Sequence, residues 1–182
     1  MTAIAAPPRQ LEVLDAAVTF LLSNPKASLA EIAAAAGVGR TTLFKRYATR
    51  DELEHAVALH ALGRCVEAAA SADALAPDGG LRSLVTALIP VGPQLNFIWR
   101  TPALETNAGF GQAYKTFEEK IQDVLTRAKQ SGVLAASQPD WWLWQTLVAL
   151  VYVAWECVEY GRLARLDAPE RVLDTMLRGV GG

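Results

Sequence analysis

The chain has 182 residues, 52% of them apolar, with 17 basic against 19 acidic side chains and a formal net charge of −2. That balance gives one medium folded unit, or a small one joined to a larger one, and excludes a disordered or strongly polyionic chain. No basic stretch followed by an apolar run opens the sequence, so no signal peptide is expected. Cys65 and Cys157 are too few and too far apart for a zinc site or a disulfide framework, and a cytoplasmic location is the expectation.

Pro7-Pro8 precedes a first amphipathic helix over residues 9–23, with Leu11, Leu14, Ala17, Val18, Leu21 and Leu22 on one face, and Asn24-Pro25 ends it. Ser28 followed by Glu31 is a capping box that starts a second helix, whose apolar face is Leu29, Ile32, Ala33 and Ala36. Gly37 supplies the positive φ at which helices commonly end. After Gly37-Val38-Gly39 a third helix spans residues 40–47, and Thr49 with Glu52 repeats the capping box to open a fourth, to about Leu75. Two short helices joined by a glycine-containing turn form a helix-turn-helix pattern. Arg40, Lys45, Arg46 and Arg50 fall there with no acidic residue between Val38 and Arg50, a local cationic patch on a slightly acidic chain. Side chains near the start of such a helix read base edges, and Arg40, Thr41 and Thr42 suit guanine O6/N7 and the thymine methyl.

The fourth helix is long enough to link this unit to the next, dividing the chain into residues 1–56 and 57–182. Pro77 to Gly80 breaks the chain, and a fifth helix covers residues 81–89. Pro90, Gly92 and Pro93 then predict a short apolar turn through Leu95, Phe97, Ile98 and Trp99. Helices over residues 102–107, 109–132, 139–163 and 169–179 complete an all-α chain of about nine helices, a helix-turn-helix domain followed by a larger helical domain.

From Trp141 to Trp155 only Gln145 and Thr146 are clearly polar, so the eighth helix needs cover on every side. It reads as too short for a bilayer, which takes about 20 apolar residues. A second copy of the same surface supplies the missing cover, with Leu147 and Val151 expected at that two-fold contact. Phe97, Trp99, Phe110, Tyr114, Trp144, Tyr152 and Trp155 crowd the same region as candidate effector-binding rings. Asn96, Asn107, Gln145 and Glu156 are the polar groups available to them, and Glu156 beside aromatic rings suits a cation. His55 and His60 are the only histidines and have no nucleophile pattern nearby, so no catalytic residue, metal or cofactor is expected.

From Leu11 to about Val57, the runs LDAAVTFL, SLAEIAAAAGV and TTLFKRYATRDEL resemble the N-terminal domain of the TetR/AcrR family of bacterial transcriptional repressors. The resemblance implies an all-helical homodimer that binds a palindromic operator in double-stranded DNA and releases it on binding a small effector, with the eighth and ninth helices at the dimer interface. It assigns base and backbone contacts to Arg40, Thr41 and Thr42, and phosphate contacts to Lys45, Arg46 and Arg50. Two positions depart from the family pattern. Phe44 replaces a tyrosine, removing a hydroxyl while keeping a ring, and Gly39 removes a side-chain cap. These departures make a TetR-like interaction protein without operator binding the alternative.

Overall fold

A computed structural model describes residues 9–101 and 108–180. The elements are α1 (Arg9–Ser23), α2 (Leu29–Ala35), α3 (Arg40–Arg46), α4 (Arg50–Ala70), α5 (Leu81–Leu88), a 3-10 turn (Ile89–Val91), α6 (Gly92–Arg100), α7 (Ala108–Gln130), α8 (Asp140–Glu159) and α9 (Ala168–Val180). No strand occurs among the described residues, as the all-α expectation requires. The helix expected over 102–107, with Asn107, and the side chain of Leu11 lie outside the described residues.

The capping chemistry sets the N-terminal elements. The Ser28 N–H donates to Glu31 Oε2 at 2.7 Å and the Glu31 N–H donates to Ser28 Oγ at 3.3 Å, a complete box that holds the Glu31 carboxyl below its ordinary range. Gly37 ends the next turn at φ +67°. The second box is displaced by one residue: Thr49 accepts from the Glu52 N–H, but the Glu52 carboxylate accepts from Ala48 rather than Thr49. Helix α4 stops at Ala70, short of Leu75; the Ser71 hydroxyl donates back to the Ala68 carbonyl at its end, and Leu75 is left exposed.

Helix α4 packs against α1, α6 and α7 and runs unbroken through residues 56 and 57. Leu14, Ala17, Val18 and Leu21 of α1 share one buried apolar cluster with Leu53, Val57, Ala58 and Leu62 of α4 and Leu84, Leu88 and Leu95 beyond it.

The Pro90-Gly92-Pro93 cluster does not unwind the chain into a turn. Proline is tolerated in a first helical turn, where its missing N–H would be unpaired anyway, so these residues redirect the chain through the 3-10 turn into α6. Leu95, Phe97 and Ile98 are consequently buried helical residues. Gly92 has a second reason to be glycine: a Cβ there would stand 2.2 Å from Cγ of Trp155. Gly92→Ala is expected to cost about 1–3 kcal/mol by overpacking. A lowered thermal midpoint with a shifted tryptophan emission checks this.

At 20 residues α8 is, by length and composition, long enough to cross a bilayer, which corrects the sequence expectation that it is too short. One side of it belongs to the protomer's core. Leu143, Leu147, Val148, Val151 and Ala154 are buried, and the helix packs on α6, α7 and α9. Leu147 and Val151 are therefore core residues and not contacts with a second copy. The uncovered side carries Trp142, Ala149, Val153 and Tyr160, which recur at helical spacing as an exposed stripe.

Candidate nucleic-acid interface and effector site

Helix α3 is seven residues long, and only Leu43 is buried in it. With Tyr47 just beyond, Leu43 anchors the helix to α2 and the small N-terminal core, leaving Arg40, Thr41, Thr42, Phe44, Lys45 and Arg46 exposed. Its N-cap is Gly39, which gives no side-chain hydrogen bond, and its carbonyl accepts from the Thr42 and Leu43 N–H groups. The Arg40 guanidinium lies over the Phe44 ring, 5.0 Å from its centroid, and the Arg46 guanidinium lies 6.0 Å from the Tyr47 centroid. Phe44 thus supports an arginine in place of the hydroxyl it lacks.

Arg50 is placed differently from the other cations. Its guanidinium donates to Glu54 Oε1 at 2.6 Å and to the backbone carbonyls of Pro25 and Ala27. Those contacts brace the α1–α2 connection against the start of α4. A phosphate would have to displace a carboxylate and two carbonyls to reach it.

The eight effector-site candidates separate into three places. Trp99 of α6 and Tyr152 and Trp155 of α8 form a tilted aromatic cluster, with ring centroids 6.3 Å apart for Trp99–Tyr152 and 5.7 Å for Tyr152–Trp155. The Tyr152 hydroxyl donates to Glu156 Oε1 at 3.1 Å, which closes the cluster with a carboxylate. Burial, followed by that hydrogen bond and the Glu156 charge, raises the Tyr152 phenol above its ordinary range, while nearby Arg100 acts in the opposite sense. The Trp155 indole N–H is buried without a hydrogen-bond acceptor among the described residues.

Phe110 stacks on Tyr114 along α7, and Trp144 meets Phe117 edge-on. Tyr114 and Trp144, with Gln145, border a groove of about 530 Å³ between α7 and α8. Phe97 faces neither group; it lines a cleft with residues of α1 and α4. Asn96 is buried on α6. Helical spacing cannot separate these places, because each helix presents rings to more than one neighbour.

Sequence reasoning missed three polar residues that meet across helices: Asp15, His60 and Gln94. They stand 45 and 79 positions apart from Asp15, and nothing local in the sequence marks them.

No family model matches the chain. The HTH-type transcriptional repressor LfrR of Mycolicibacterium smegmatis is 29% identical over 170 residues, covering 92% of this chain and 88% of LfrR. The crystal structure of the TetR-like regulator LfrR from Mycobacterium smegmatis in complex with proflavine superimposes with a TM-score of 0.78 at 28% identity, covering 96% of this chain and 97% of that one. A TetR family regulator from Marinobacter aquaeolei VT8 shares the fold, with a TM-score of 0.73 at 19% identity over 95% of each chain. The helix-turn-helix with its cationic, outward-facing α3, the all-helical body and these likenesses converge: in sequence and in fold the chain is similar to transcriptional regulators of the TetR family.

Proposed function

We propose that the chain is a homodimeric repressor that reads a palindromic operator with α3 and leaves it on binding a planar aromatic cation. The observation that carries the effector class is the Trp99–Tyr152–Trp155 cluster closed by the Glu156 carboxylate. Aromatic faces and a carboxylate together recognise an organic cation by ring stacking and charge. LfrR, a relative along nearly the whole chain, was crystallised with proflavine, which supports the same class.

Within this reading Arg40, Thr41 and Thr42 meet base edges, and Lys45 and Arg46 meet phosphates. Arg50 keeps its brace and contributes through position. The exposed α8 stripe of Trp142, Ala149, Val153 and Tyr160 pairs with its two-fold copy. A regulator of this kind works in the cytoplasm and performs no chemistry on its ligand.

Proflavine titrated against tryptophan fluorescence tests the effector site. Glu156→Gln is expected to weaken binding about tenfold or more, since a charge-assisted contact contributes roughly 1.5–3 kcal/mol. Equal affinity in wild type and variant removes Glu156 from the site. Selection of duplexes from random DNA by the wild-type protein tests the operator reading, and absence of any enriched sequence would favour the interaction-protein alternative.

A further inference from the structure

Three helices meet on one carboxylate oxygen. Asp15 Oδ1 of α1 accepts from Gln94 Nε2 of α6 at 3.1 Å and lies 2.9 Å from His60 Nε2 of α4. The His60 side chain is 8% exposed and that of Asp15 42%, so this tie stands at the edge of the packing of α1, α4 and α6. Gln94 Oε1 is buried and has no hydrogen-bond partner among the described residues. The amide is therefore held in this orientation by its donating end, on Asp15 alone.

Six to seven residues further along α1, three to six further along α6 and six back along α4, the same helices stand apart. They enclose a cleft of about 410 Å³ bordered by Leu21, Leu22, Glu54, Phe97 and Arg100. The junction is fastened at the Asp15 end and open at the other. Helix α6 has nine residues and carries Gln94 near its start and Trp99 near its end. One short rigid element thus joins the aromatic cluster to the first helix of the DNA-binding unit, beside the route through α4.

We propose that Asp15 and Gln94 are positioning residues that couple α6 directly to α1, fixing the orientation of the helix-turn-helix and passing effector-driven movement of α6 to it. The ligand half of this inference rests on the effector site proposed above, and the orientation half does not. Tilting of α6 into the cleft, about the Asp15–Gln94 contact, drags α1 and the attached α2 and α3. A change of a few ångströms suffices to mismatch half-sites about 34–36 Å apart. Conversely, a helix-turn-helix released from the tie samples orientations that do not fit DNA, and its apparent affinity falls with the competent fraction.

The test uses the full-length protein, a duplex selected from random DNA by the wild type, and proflavine as the ligand probe. Gln94→Met keeps length and helix propensity while removing both polar atoms, and Asp15→Leu keeps the approximate shape of a partly exposed side chain while removing its acceptor oxygens. Both are expected to weaken DNA binding without ligand about five- to tenfold, with circular dichroism and thermal midpoint close to wild type, and to cut the proflavine-induced loss of DNA affinity to under about twofold. A double variant no weaker than either single variant identifies one shared contact. DNA affinity within twofold of wild type in both variants overturns the proposal whatever proflavine does. A wild-type protein indifferent to proflavine overturns the proposed effector class instead, and the ligand-free DNA affinities still decide the tie.

Discussion

Val153→Asp is expected to turn a dimer into folded monomers and to lower operator affinity by at least about a hundredfold, because one recognition helix alone gives up the second half-site. Val153 is 51% exposed on α8, in line with Trp142, Ala149 and Tyr160, so in an isolated protomer the new carboxylate meets water and the fold is undisturbed. Against its own copy it becomes an uncompensated charge in a desolvated face, and two of them meet near the two-fold axis. Leu147→Asp makes the contrast. That side chain is fully buried within the protomer, and a charge there destabilises the fold itself. Light scattering with circular dichroism separates the outcomes: Val153→Asp gives a helical monomer and Leu147→Asp gives loss of cooperative unfolding. A wild-type protein that scatters as a monomer at micromolar concentration would remove α8 as the interface.

Arg40→Ala is expected to reduce the preference for operator over random DNA by about 1–3 kcal/mol, while Lys45→Ala and Arg46→Ala weaken both alike and each reduce the salt slope by about one phosphate contact. The division follows from position. Arg40 opens α3, stacked over Phe44, where a helix in the major groove faces the bases, and Lys45 and Arg46 occupy its last turn. Phe44→Ala should lower specificity in the same direction as Arg40→Ala by releasing the guanidinium from its ring. Arg50→Ala should behave as a third kind of change. With Glu54 and the carbonyls of Pro25 and Ala27 deprived of their donor, thermal stability falls while the salt slope stays near wild type. Fluorescence anisotropy across a salt series, with thermal melts, resolves the three patterns, and a slope lowered by Arg50→Ala would return that residue to the phosphate contacts.

The N-terminal helices were legible because their signals are local. Ser28 and Glu31 are three residues apart, and Gly37 adopts the positive φ expected of it. The same rules failed between Pro90 and Trp99. Proline and glycine there stand at a helix start, which a string of residues does not distinguish from a break until the direction of the next helix is known.

Composition showed that α8 requires cover on more than one side, yet hydrophobicity carries no label for the neighbour that provides it. Leu147, Val151 and Val153 are alike in sequence, and their rotation about the helix axis against α6, α7 and α9 puts the first two in the core and leaves the third exposed. Arg50 and Gln94 make the same point for polar groups. Hydrogen bonds need atoms about 3 Å apart, and their partners lie 23 to 79 positions away in the chain. Short-range periodicity, capping and local charge thus sufficed for most of the helices and for an exposed, cationic third helix, and the resemblance of the N-terminal runs pointed to the family. The division of the aromatic residues, the brace at Arg50 and the Asp15 tie came from packing, because contacts between distant residues exist only once the helices have met.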